Sequence, residues 1–361
     1  MKQWGALEGV ASECVCKLNG AGHCEPFDYA QDKLREAIPS PKQRLLRHLR
    51  LLAMTPPSRF ASTLLMLLVC TVGCGPSGTS FTAQQLKEKN KDAKYVEVDG
   101  VSLHFTQDGL GKPLIFLHGL MTSSYLWRNI TPALTYGNTV YGLDLMGSGI
   151  SEKPQNLTYS IDTYVNQLSK FIDGFHLENP IIAGHDIGGS IATLYAIRNP
   201  GKVHKLLLLN APLYPGYSAP GLGLLKTPLV GGLLSGDWFL QRELRGSVFK
   251  PASMPDSLIS QYLAPYHSDP GARVALLKQV KELNLDAALK KEAADNLSKL
   301  QVPTLIIWGD GDPYVPLNMS KDMKKTIPGA ELYVVLNTAH NPIEERSEDV
   351  RQAMKEFIDK Q

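Results

Sequence analysis

The run Gly184-His185-Asp186-Ile187-Gly188-Gly189 lies between an apolar segment at residues 180–183 and the helix-patterned Ser190-Ile191-Ala192-Thr193-Leu194-Tyr195-Ala196. This pattern predicts a strand, a tight turn and a helix, with an aspartate at the apex. The glycines let the backbone turn sharply and let the helix pack close to the strand. A carboxylate held there can attack carbon directly and form an ester on the protein. Such chemistry is displacement at an alkyl carbon; an aspartate acylated by an ester substrate would instead be an anhydride. The plainer alternative is an aspartate that serves only the turn.

Other runs offer partners. Trp308-Gly309-Asp310-Gly311-Asp312-Pro313 ends an apolar segment and supplies two acids, and His340 follows another in Ala339-His340-Asn341-Pro342. A histidine titrates near neutrality and suits the activation of water, with an acid to orient its ring and stabilise the imidazolium. Leu117-His118-Gly119-Leu120-Met121 also follows an apolar segment. His118 reads as a hydrogen-bonding turn residue rather than a catalyst.

These positions need a frame. Asp99-Gly100 between two alternating runs predicts a hairpin. Short apolar segments at 113–117, 139–143, 180–183, 205–209, 304–308 and 331–335 then suit a mostly parallel sheet. Helix-period patterns at 160–175, 190–198 and 348–360 would cover both its faces. Residues 212–300 carry no strand signal and predict an inserted helical cap, or lid, over the carboxyl ends of the strands, where ligands bind in such sheets. The expected division is a core at 94–211 and 301–361 with the cap between. Within the cap, Trp238, Tyr214, Tyr217, Tyr262 and Tyr266 are candidate substrate contacts, though aromatic residues at a lid interface also pack.

The 361 residues carry a net charge of +2 and are 43% apolar, an ordinary globular balance that gives no reason to expect nucleic acid as a partner. All five cysteines lie at or before Cys74, which excludes a thiol mechanism in the core. The spacing of Cys14, Cys16, His23 and Cys24 suits no common zinc module, so no metal is expected. Residues 54–74 have a short basic start, an apolar stretch and small residues before Cys74, the pattern of a secretory signal peptide. The ending Thr71-Val72-Gly73-Cys74 resembles a bacterial lipoprotein cleavage box, with Cys74 as the lipidated residue. We read Met54 as the initiator and residues 1–53 as a misassigned upstream or disordered extension. The competing reading makes the basic run at 44–50 a membrane-touching amphipathic segment. Residues 75–93 read as a tether. The expectation is an exported, membrane-anchored lipoprotein.

Residues 93–361 resemble the haloalkane dehalogenase and epoxide hydrolase branch of the α/β-hydrolase superfamily. The resemblance rests on His118-Gly119, on Met121-Thr122-Ser123-Ser124-Tyr125-Leu126-Trp127-Arg128-Asn129, on Asp144-Leu145-Met146-Gly147-Ser148-Gly149, on the Gly184–Gly189 run and on His340-x-Pro342-x-Glu344. It implies a nucleophile elbow with Asp186 where serine usually stands, and the chain order nucleophile, acid, histidine. It also implies Asp312 as the acid, ahead of Asp310, by the family's spacing, and Leu120 and Ile187 as backbone N–H donors of an oxyanion hole. The implied substrate is a small uncharged epoxide or alkyl halide, with water as co-substrate and no cofactor. Two departures stand out. Dehalogenases usually carry Asn and Trp at the positions of Leu120 and Ile187, whose side chains cannot donate to a departing halide. Epoxide hydrolases usually carry Pro where Met121 stands. The first departure tilts the reading toward an epoxide. An acyl-ester hydrolase and a non-catalytic binding lipoprotein are the remaining alternatives.

Overall fold

The structure, a computed structural model, describes residues 80–213, 220–227, 231, 235–283 and 287–360. The expected signal segment, Cys74, Tyr214 and Tyr217 lie outside the described residues. Helix α1 (Ala83–Lys89) is followed by a seven-stranded sheet built from β1 (Lys94–Val98), β2 (Val101–Leu117), β3 (Tyr136–Leu143), β4 (Ile181–His185), β5 (Lys205–Leu209), β6 (Thr304–Gly309) and β7 (Glu331–Val335). Its order is β1-β2-β4-β5-β6-β7, with β3 paired to β2. Asp99 and Gly100 both take positive φ, 53° and 73°, as a two-residue turn between β1 and β2 requires. The register descends β3 from Phe105↔Leu143 to Gln107↔Tyr141, then ascends it from Lys112↔Asn138 to Leu117↔Leu143. The chain therefore folds back around residues 109–111, and β3 lies between the two halves of β2.

The central strands are buried along their whole length and largely apolar because both faces are covered. Ile182, Leu206 and Leu208 enter one apolar layer, and Ile181, Ala183, Leu207 and Leu209 enter the other. Helix α2 (Ile161–Gly174) shows the stripe that such covering requires, burying Ile161, Tyr164, Val165, Leu168, Phe171 and Ile172. Ser160 caps it by accepting from Thr163 N–H. Helix α3 (Ile187–Arg198) is buried from Ile187 through Ala196, so it has no polar face to betray its start. It begins three residues before the position its sequence pattern suggests.

Between β5 and β6, every described regular element is helical: α4 (Pro220–Leu225), α5 (Asp237–Gly246), α6 (Asp256–Ser268), α7 (Ala272–Glu282), α8 (Ala287–Leu297) and one 3-10 turn. Helices α9 (Leu317–Thr326) and α10 (Ser347–Asp359) complete the core. The stretch read as tether is folded from residue 80 onward. Thr82 and Gln85 form a reciprocal capping box at the start of α1, Leu86 is buried, and Lys89 Nζ donates to Ser268 O at 2.9 Å. Charge density hid a capping signal that was present in the sequence. Among the described residues no helix is long and apolar enough to cross a membrane.

Candidate active site

Asp186 caps the N-terminus of α3 at φ 51°, ψ −127°, a backbone conformation costly for a residue with a side chain. The turn is held by extreme crowding. A Cβ on Gly188 would lie 2.4 Å from Leu117 O, and one on Gly119 would lie 2.8 Å from Asp186 Cβ. Only glycine lets the first turn of α3 and the loop after β2 approach the carboxylate this closely.

The Asp186 carboxylate is asymmetric. Its Oδ2 accepts from Leu120 N–H at 3.0 Å, and Ile187 N–H also donates to the carboxylate. Its Oδ1 is buried without a hydrogen-bond partner, 3.8 Å from His340 Nε2. Burial pushes the Asp186 pKa up, and the His340 ring with the two N–H groups only partly offsets that.

His340 follows β7, and its Nδ1 sits 2.9 Å from Asp312 Oδ2. Asp312 follows β6 and also accepts from Asn210 Nδ2 at 2.7 Å and from the N–H groups of Tyr314 and Val315 at 2.8 and 3.0 Å. Burial opposes its charge, but His340 and these donors hold its pKa below the usual carboxylate range. Burial likewise opposes a charged His340, yet Asp312 and then Asp186 carry its pKa above the usual histidine value. Asp310, the other acid of its run, is exposed and accepts from Thr338 N–H instead.

Neighbours fix these groups. His185 Nε2 lies 2.8 Å from His340 O, so that nitrogen carries the proton; burial and the adjacent His340 push its pKa down to about 3. Glu345 accepts from Ala339 N–H at 2.7 Å and steadies the histidine loop. Glu344 takes both Arg128 Nη atoms at 2.7 Å, tying that loop to the 3-10 turn Ser124–Asn129. His118 serves the turn: Nδ1 donates to Gly119 O at 2.7 Å and Nε2 accepts from Leu145 N–H at 3.0 Å.

Asp186, His340, His185, Leu120 and Met121 line a cavity of about 50 Å³, to whose wall the cap contributes Glu243 and Leu244 of α5. That is room for a water molecule. The cap aromatics expected to contact substrate are elsewhere. Trp238 is 70% exposed, Tyr262 donates its hydroxyl to Glu344, and neither they nor Tyr266 lines the cavity. Trp238 is placed at the start of α5, off the face that buries Phe239, Leu240, Glu243 and Leu244. Sequence reading missed Asn210, Tyr314 and Glu243. Glu243 had a signal: it falls on the apolar stripe of Phe239, Leu240 and Leu244. A wider groove of about 780 Å³, lined by Phe81, His104, Arg128 and Asp144 among others, shares no lining residue with this cavity.

One consequence is a pH signature. For any reaction in which His340 accepts a proton it must start neutral, so the rate falls as pH drops through its raised pKa. Asp312→Asn removes the charge that raises it. The acid limb should therefore move to lower pH while the plateau rate falls about 10³- to 10⁴-fold from loss of ring orientation. A pH–rate profile of this variant checks both, and an unmoved limb would contradict the coupling.

Strand order, elbow and helical insertion define a class, and the chain belongs to the α/β-hydrolase fold family, whose profile matches residues 112–241 and 244–347. Among relatives, it is 26% identical over 278 residues to the cis-3-alkyl-4-alkyloxetan-2-one decarboxylase of Shewanella oneidensis, covering 73% of this chain and 87% of that one. It is 27% identical over 248 residues to haloalkane dehalogenase 2 of Mycobacterium tuberculosis, covering 66% and 85%. Solved structures of the same fold include the haloalkane dehalogenase DatA of Agrobacterium tumefaciens C58, with TM-score 0.64, 24% identity and coverage of 74% and 96%. The epoxide hydrolase CorEH superposes with TM-score 0.64 at 24% identity, covering 74% and 98%. The chain is thus an α/β-fold hydrolase with dehalogenase and decarboxylase relatives, and it shares its fold with an epoxide hydrolase.

Proposed function

We propose that Asp186 displaces a leaving group at an alkyl carbon of a small uncharged substrate and that water activated by His340 cleaves the resulting ester. The observation that carries this reading is the divided carboxylate. Oδ2 accepts from Leu120 N–H, whereas Oδ1 has no hydrogen-bond partner and lies 3.8 Å from His340 Nε2. Oδ1 forms the bond to carbon as the leaving group takes the electron pair. Water then adds to the ester carbonyl, giving one proton to His340 Nε2. The oxyanion forms against Leu120 and Ile187 N–H, where it needs no reorganisation of the site. Collapse expels the alcohol oxygen, which takes the proton from His340. These steps call on no cofactor.

An epoxide fits better than an alkyl halide. The side chains of Leu120 and Ile187 offer no donors, and the described cap residues lining the cavity include no tryptophan or asparagine to solvate a departing halide. Purified protein offered styrene oxide and butyl bromide should form diol from the first at least about tenfold faster than bromide from the second, a gap of about 1.4 kcal/mol. Bromide release without diol would reverse the assignment. A second reading, a strained β-lactone, is favoured by the likeness to the Shewanella oxetanone decarboxylase. Its leaving carboxylate stays tethered and requires no halide donors.

The admission of a carbon skeleton requires the cap to move, because about 50 Å³ does not hold one. We also propose export and lipidation at Cys74. Cys74→Ala should shift the protein from the membrane to the soluble fraction of fractionated cells, since stable anchoring needs the summed burial of acyl chains. Wild-type protein in the soluble cytoplasmic fraction would contradict it.

A further inference from the structure

The cap contributes a buried carboxyl to the cavity that the steps above leave unused. Glu243 sits on the inner face of α5, between Leu240 and Leu244, and is only 9% exposed. No described residue donates a hydrogen bond to its side chain, and its carboxyl oxygens keep contact with solvent-accessible space. It lines the same cavity as Asp186 and His340. The titratable and charged groups around it are Arg242 on its own helix, Tyr314, whose hydroxyl donates to Glu243 O at 3.3 Å, and the cavity-lining Asp186, His185 and His340.

We propose that Glu243 is the acid that protonates the oxygen leaving carbon when Asp186 opens a strained cyclic ether. This rests on the Asp186 reading above and supplies what it lacks. An epoxide oxygen leaves as an alkoxide, a base too strong to depart unassisted near neutrality. The Asp186 Oδ1–carbon bond forms, the ring carbon–oxygen bond breaks, and the Glu243 proton passes to that oxygen. Glu243 is left as carboxylate. Hydrolysis of the ester later regenerates Asp186 as a carboxylic acid, and the proton it sheds restores Glu243 through solvent. Burial in the apolar face supports the role, because it raises the pKa of this carboxyl and keeps the proton on at higher pH.

The test compares ester formation on Asp186 in His340→Gln protein with and without Glu243→Gln, by intact mass against time. Styrene oxide needs the proton and butyl bromide does not, since bromide leaves as a stable anion. Glu243→Gln should slow adduct formation from styrene oxide by about 10²- to 10³-fold and leave that from butyl bromide within about threefold. Glu243→Asp should recover part of the loss. The bromide arm reports on folding and on the integrity of Asp186 in the same protein. Equal slowing of both probes would assign Glu243 to cap packing, and slowing of neither would leave it outside the reaction; either overturns the proposal. If His340→Gln alone forms no adduct with either probe, the Asp186 reading fails and this proposal falls with it.

Discussion

Asp186→Asn should lose turnover by about 10⁴-fold or more while its melting temperature does not fall. The two halves have one cause. The native carboxylate is buried, its pKa is raised, and Oδ1 has no donor, so its charge at neutral pH is a penalty on the folded state. Asparagine removes that charge, keeps the shape and tolerates positive φ better than most residues. A raised folded pKa means that stability is present below the unfolded value and is lost as pH rises through the folded one. The variant should therefore be the more stable protein at neutral pH. The gap should close as pH falls below about 4, the unfolded value, where Asp186 is protonated in both states. Thermal melts at several pH values, with turnover at each, check it. A variant less stable at neutral pH would mean that the carboxylate is structural.

His340→Gln should separate the two half-reactions. Attack by Asp186 needs no base, so the ester still forms; water activation is lost, so it accumulates. Hydrolysis should slow by about 10³-fold or more, with a burst of one equivalent per chain and then near silence. Intact mass identifies the chemistry. A ring-opened substrate adds its whole mass, whereas an alkyl halide adds its alkyl group alone. A mass gain that persists in Asp186→Asn/His340→Gln protein, or that maps to a cap residue, would contradict an ester at Asp186.

Sequence reading served unevenly here, for physical reasons. β5 is read to the residue because a strand covered on both faces must be largely apolar and short. The elbow is legible because no side chain larger than hydrogen fits at Gly188. The start of α3 is obscured for the opposite reason: a fully buried helix has no polar face to mark its phase. Asn210 is invisible because its role, donating to Asp312 at 2.7 Å, exists only once β5 and β6 lie side by side. The cap gave the poorest return. Its tyrosines and Trp238 are as apt for packing as for catalysis, and type alone does not distinguish them. Glu243 was the stronger clue there, since a carboxylate on an apolar helical stripe violates the local pattern and calls for a reason.

The central claim is that carbon is attacked by Asp186 and not by water. A single turnover in water labelled with heavy oxygen tests it most directly, using enzyme in excess over styrene oxide. Water that adds to the ester carbonyl leaves its oxygen on Asp186, and the product takes its new oxygen from the enzyme. The peptide containing Asp186 should gain the label, and the first-turnover diol should carry none. Labelled diol with an unlabelled Asp186 peptide would show that water attacks carbon directly, and the ester mechanism would be wrong.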